Sequence, residues 1–246
     1  MNKSILTALA AALVAVSWMT PAASAQMTVG VDVNATWNGF MAVYTNAGGS
    51  VGSKGTLAFD GPFGFAELKS TINLGSSTLT LQPNYNTYAN SLTGNNADRA
   101  YWTDSTDGGV TPGPLGNKWM EASGYIQNGS WGGGELTFQG NILSSTMLSP
   151  NYTVSAFIKS FDAGWGWVGW SQDYITGSST DFSVSFTAPP GIVQYGFLVE
   201  GLNANPANEV ANGSVVVQGV PEPSTYALLA LGAAGLGAHL VRRRRR

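Results

Sequence analysis

From Thr28 to Gln218 the chain is a succession of short segments in which apolar and polar side chains alternate. A period of two belongs to a strand and not to a helix. Phe182, Val184 and Phe186 alternate with Asp181, Ser183 and Ser185; Leu136, Phe138 and Ile142 alternate with Glu135, Thr137, Gln139 and Asn141; Leu79 and Leu81 sit among threonines. Segments of this kind bury one face and wet the other, as antiparallel sheets do. Further strands are expected at Thr28 to Val33, Gly39 to Tyr44, Gly55 to Asp60, Trp119 to Gln127, Tyr152 to Lys159, Ile192 to Glu200 and Ser214 to Gln218. Clusters of Gly, Asn, Ser and Pro separate them, and no helical periodicity intervenes. The pattern predicts an all-β fold, a single antiparallel β-sandwich of jelly-roll type. The stretch from Gln82 to Lys118, with Asn84, Asn86, Asn90, Asn95, Asn96, Pro112 and Pro114, reads as loops.

Composition supports this reading and narrows the chemistry. Glycine is present in 32 copies while charged residues make up only 10% of the 246 positions, which suits tight turns between short strands. Between Gln26 and Val220 there are five basic residues (Lys54, Lys69, Arg99, Lys118, Lys159) and thirteen acidic ones, a net charge of -8. Such a body repels phosphate backbones, so nucleic acid is not an expected partner. Cysteine is absent, which removes disulfides, thiolate metal sites and a cysteine nucleophile. The single histidine, His239, lies in the C-terminal apolar run, so a serine triad or a histidine-bound metal centre is excluded from the body of the protein.

The two ends differ from the middle. Lys3, the apolar run Ile5 to Trp18 and the small residues Ala23, Ser24 and Ala25 form an N-terminal export signal with cleavage expected after Ala25; the alternative is an uncleaved anchor, for which the run is short. At the C-terminus, Val220-Pro221-Glu222-Pro223-Ser224-Thr225 precedes the apolar stretch Tyr226 to Val241 and then Arg242, Arg243, Arg244, Arg245 and Arg246. The prolines hold the backbone extended. The apolar stretch as a helix spans about 24 Å, slightly short of a hydrocarbon core of about 30 Å, and the arginines pin the end on the cytoplasmic side. The expected division is 1–25 signal peptide, 26–219 β-sandwich ectodomain and 220–246 sorting and anchor segment.

The order Pro-Glu-Pro, apolar helix, arginine cluster resembles the sorting signal of PEP-CTERM proteins. The resemblance implies processing by signal peptidase and by an exosortase, a membrane-embedded cysteine transpeptidase-like enzyme, with Pro221, Glu222 and Pro223 as the residues it reads. It implies transient anchoring in the inner membrane followed by release to the cell surface or extracellular matrix, in bacteria that make exopolysaccharide and biofilm. A plain C-terminal anchor on a proline-rich stalk is the alternative. The segment Val193 to Phe197, followed by Gly201, Asn203, Asn205, Pro206 and Glu209, is similar to stretches in other PEP-CTERM proteins with β-sandwich ectodomains, and it implies no activity.

Seven tryptophans lie in the ectodomain. Sugar rings present flat C–H faces that pack on indole, while their hydroxyls need amide and carboxylate partners. Trp119, Glu121, Ser123, Tyr125 and Gln127 fall on one face of their strand, with Met120, Ala122 and Ile126 on the other. Glu135, Thr137, Gln139 and Asn141 are expected to continue the polar face on a neighbouring strand. In Trp165-Gly166-Trp167-Val168-Gly169-Trp170, an extended backbone puts Trp165 and Trp167 on one side and Trp170 on the other, at least one of them in the core. The candidate glycan-binding residues are therefore Trp119, Glu121, Tyr125, Gln127, Trp165 and Trp167, with a core role for Trp119 and Tyr125 as the alternative. Asp98, Asp104, Asp107, Asp162 and Asp173 are candidate oxygen ligands for one structural calcium, although no calcium-loop spacing is present; no other cofactor or metal is expected. For catalysis, paired carboxylates are the only machinery available, and Glu121 with Glu135 is the pair this reading names. The expected function is that of a non-enzymatic envelope or matrix protein that binds or mingles with polysaccharide. The alternatives are a glycan-cleaving enzyme and a purely structural surface protein.

Overall fold

The computed structural model describes residues 26–48, 52–147 and 151–219. The expected signal peptide and the sorting and anchor segment lie outside the described residues. Among the described residues no helix is long and apolar enough to cross a membrane.

Among the described residues, twelve strands form two six-stranded sheets. One sheet contains β1 (Gln26–Val29), β4 (Thr71–Asn73), β5 (Thr78–Leu81), β7 (Gly134–Ser145), β10 (Asp181–Ala188) and β12 (Val215–Gln218), in the order β1-β7-β12-β5-β4 with β10 also paired to β7. The second contains β2 (Asn38–Asn46), β3 (Lys54–Phe63), β6 (Lys118–Trp131), β8 (Tyr152–Phe161), β9 (Trp167–Ile175) and β11 (Gly191–Leu202), in the order β3-β2-β6-β11-β8-β9. All pairings are antiparallel except β1 with β7. The chain returns within one sheet only at β2–β3, β4–β5 and β8–β9; every other connection crosses the sandwich, giving the jelly-roll-like architecture expected from the sequence.

The alternation does what a half-buried strand requires. Leu136, Phe138, Phe182, Val184, Leu79 and Leu81 turn inward from the first sheet to meet Val154, Ile158, Val193 and Phe197 from the second. Phe138 is the hub, its ring lying 4.9 Å from Phe182, 5.4 Å from Tyr195 and 5.3 Å from Phe197. The wetted faces pair as well: Thr137 and Ser185 share a hydroxyl–hydroxyl bond of 2.7 Å.

The first sheet does not reach over β2 and the adjoining part of β6, and the chain covers them differently. A 3-10 turn (Phe65–Leu68) and a helical insert bury a second, smaller core of Met41, Val43, Leu68, Met120 and Ala122. The insert contains α1 (Asn86–Thr93) and α2 (Asn96–Trp102), so the segment expected to be loops is in good part helical. Two of its asparagines brace the helix starts. The Asn84 side chain accepts from the Thr87 amide at 3.1 Å, and Asn95 and Asp98 form a reciprocal capping box at the start of α2. The insert is bolted on by Asn203, fully buried, whose side chain accepts from the Lys118 amide at 2.9 Å and donates to the Trp102 carbonyl at 2.8 Å.

Candidate functional site

The outer face of the second sheet carries a cleft of about 580 Å³. Its floor is made by β6, β11 and β8, one wall by β2 and β3, and the other by β9 and the β8–β9 turn. Strand periodicity decides what reaches it. Because Met120 and Ala122 point to the core, Glu121, Ser123 and Tyr125 point out; by the same rule Val193 and Val199 face in while Gln194, Leu198 and Glu200 face out. The split of β6 into two faces is thus as the sequence predicts, and Trp119 and Tyr125 belong to the outer face and not to the core.

The expected continuation of that face onto β7 is wrong. The neighbours of β6 are β2 and β11, and β7 lies in the opposite sheet, because the chain crosses the sandwich at Gly132 and Gly133 instead of turning back as a hairpin. Glu135, Thr137, Gln139 and Asn141 therefore face away from the cleft on the far side of the molecule, and Glu121 and Glu135 are not a pair. The carboxylate beside Glu121 is Glu200, its direct partner across the β6–β11 ladder.

The tryptophan cluster also differs from expectation, for a local reason. In the β8–β9 ladder Lys159 faces Trp170 and Ser160 faces Gly169, but Phe161 faces Trp167, so Val168 is an extra residue in a β-bulge. The bulge shifts the alternation by one and brings Trp167 and Trp170 to the same face. None of the three indoles is core: Trp165, Trp167 and Trp170 are 55%, 57% and 44% exposed, and all line the cleft. Phe161 steadies two of them, with ring centres 5.7 Å from Trp165 and 5.5 Å from Trp167. Trp165 has φ +67°, a left-handed conformation uncommon outside glycine. The Asp162 side chain stabilises that turn by accepting from the amides of Gly164 at 2.8 Å and Gly166 at 2.7 Å.

The polar groups on the floor are interlinked. Lys54 of β3 pairs with one oxygen of Glu121, and the Tyr44 hydroxyl donates to the other at 3.0 Å. Burial, and then Glu121, push the Tyr44 phenol above its ordinary value. Glu200 accepts from the Thr153 hydroxyl at 3.3 Å; burial first and the neighbouring Glu121 second raise its carboxyl above the usual range. Lys159 donates to the Ser123 hydroxyl at 3.3 Å and stands 4.4 Å above the Phe157 ring, and burial lowers its ammonium. Gln194 donates to Gln127 at 2.9 Å.

Of the residues singled out from sequence, Glu121, Tyr125, Trp165 and Trp167 line the cleft, Gln127 touches it through Gln194, and Trp119 stands on the same face beyond its lining with its indole N–H unpartnered. The sequence reading missed Glu200, Lys159, Gln194, Phe161 and Trp170. Glu200 and Gln194 were accessible to it, since both fall on the outward phase of a strand whose inward phase was already legible. The candidate calcium carboxylates Asp98, Asp104, Asp107, Asp162 and Asp173 each accept a backbone amide at a helix start, a turn or an adjoining strand. Among the described residues no three side chains of metal-ligating type gather.

An aromatic-walled, charge-dotted cleft on a two-sheet sandwich defines the class, a β-sandwich domain with a ligand-sized groove on one sheet. The particular assignment comes from the tail, where residues 219–246 match the PEP-CTERM protein-sorting motif. That motif marks the chain for export and for sorting to the surface by an exosortase, and the match is confined to its last residues. No curated protein and no solved structure matches the chain.

Proposed function

We propose that the ectodomain is a carbohydrate-binding domain of the cell envelope or extracellular matrix, associated with exopolysaccharide. The observation that carries this reading is the convergence of Trp165, Trp167 and Trp170 on one cleft whose floor offers Glu121, Glu200, Lys159 and Gln194. Indole faces supply apolar contact for the C–H side of a pyranose ring, and carboxylates, ammonium and amide supply acceptors and donors for its hydroxyls. The volume suits a short run of sugar units, since ligand clefts are typically about 300–1,000 Å³. In this reading the segment before Gln26 is removed on export, and the apolar tail with its arginines holds the domain at the inner membrane until the exosortase acts on Pro221, Glu222 and Pro223.

The test is affinity electrophoresis of the exported protein in gels containing exopolysaccharide from the producing cells. Retardation that is lost in Trp167→Ala and Trp170→Ala supports the reading. Unretarded migration of the wild type, with self-association in solution, would favour a purely structural surface protein instead.

A further inference from the structure

Glu121 and Glu200 face each other directly across the β6–β11 ladder, both on the outer side and both in the lining of the cleft. Directly opposed residues of an antiparallel pair have Cβ atoms about 4.5–5.5 Å apart. Their surroundings are unlike. Glu121 meets a donor at each oxygen, the Lys54 ammonium and the Tyr44 hydroxyl, and this is the environment of a carboxylate. Glu200 has one hydroxyl partner, Thr153, and no cation within ion-pairing distance among the described residues. Two carboxyl groups placed side by side with different environments divide into a base or nucleophile and an acid. The rise of the Glu200 carboxyl above the usual range, caused by burial and then by Glu121, agrees with that division.

We infer that the cleft hydrolyses a glycosidic bond of the polysaccharide it binds, with Glu200 as the acid and Glu121 as the nucleophile. The inference rests on the carbohydrate reading of the cleft. In the first step the Glu200 carboxyl gives its proton to the glycosidic oxygen while a Glu121 oxygen bonds to the anomeric carbon; the carbon–oxygen bond to the leaving sugar breaks, and that sugar departs as an alcohol. In the second step the Glu200 carboxylate takes a proton from water, the water oxygen bonds to the anomeric carbon, and the ester to Glu121 breaks. Both residues return to their starting forms, and one water is consumed per bond cut. Two inversions leave the anomeric configuration retained. The Lys54 ammonium and the Tyr44 hydroxyl compensate the charge that returns to Glu121 as the ester breaks.

The experiment incubates the full chain in detergent with exopolysaccharide from the producing cells and measures bound polysaccharide and new reducing ends together. The expected result is binding with steady release of reducing ends, with release reduced about 10²–10⁴-fold in Glu200→Gln. Glu121→Gln is expected to abolish release as well. Retention at the anomeric carbon, read by NMR of the first product, is a second readout that a structural role for either residue would not produce. Binding by the wild type without reducing ends overturns the cleavage and leaves the carbohydrate reading standing. Undiminished release in Glu200→Gln, or an inverted product, overturns the assignment of the pair. Absence of both binding and release overturns the inference together with the reading beneath it.

Discussion

Glu200 is a carboxyl group whose acid form is favoured by folding, and this has a consequence that ordinary calorimetry can read. Its carboxyl is raised in the native state, so the folded protein holds that proton more tightly than the unfolded chain does. Relative stability is then fully present below the ordinary carboxyl value of about 4.3 and is lost as pH rises through the raised native value. Glu200→Gln removes the ionisation, and the variant is expected to melt above the wild type at neutral pH, with the gain vanishing in acid. A gain of equal size at both pH values would show that Glu200 is not desolvated by its neighbours. Trp165 permits a second test at this scale. Its left-handed backbone is strained and its indole is outside the core, so Trp165→Gly is expected to leave the melting temperature equal or higher while weakening glycan binding about tenfold. At the hub of the interior the expectation reverses: Phe138→Ala, with its ring fully buried against three others, should lower stability by about 3–5 kcal/mol in denaturant titration.

Between residue and molecule, the elements that matter are the β8–β9 hairpin and the helical insert, and both show where a linear reading stops. The alternation of β6, β7, β10 and β11 was plain in the residues, because one face of each strand is filled by the core and the period follows. The bulge at Val168 was not, since an extra residue leaves no mark in a stretch of Trp, Gly and Val, and its effect is to move Trp170 from one face to the other. The α1–α2 insert is hidden by its asparagines, which read as loop formers although Asn95 caps a helix; the Asn95–Asp98 spacing is the available sign. Sheet membership was hidden most deeply. Nothing local in Gly132 and Gly133 states that β6 and β7 part company, and so a linear reading sets Glu135 beside Glu121 where Glu200 stands. Asn203 holds the insert to the sandwich through bonds to both Lys118 and Trp102. Asn203→Ala leaves the buried Lys118 amide unpaired, at a cost of about 1–3 kcal/mol, and takes from the Trp102 carbonyl one of its two donors, the Asn117 amide remaining; the insert should lose hydrogen-exchange protection before the sandwich does.

The whole molecule is organised around a division of labour between its two sheets. Both sheets fill the interior with large apolar residues, while the second gives only one face to that interior and keeps the other for the cleft. The ectodomain is acidic overall, yet two of its five cations, Lys54 and Lys159, stand at the cleft beside Glu121 and Glu200, so the groove is close to charge-balanced on a negative body. That balance suits the hydroxyls of a polysaccharide better than a strongly charged ligand. The sorting motif then accounts for where such a cleft would be used, since it directs the exported chain to the cell surface. The central claim is that three indoles and the paired carboxyl groups form one carbohydrate site. Its most direct measurement is isothermal titration of the exported protein with oligosaccharides prepared from that exopolysaccharide, alongside Trp167→Ala and Trp170→Ala. Saturable binding that falls about tenfold in each variant, with melting temperatures unchanged, is the predicted result; wild-type heats no larger than dilution, or affinities indifferent to both tryptophans, would contradict it.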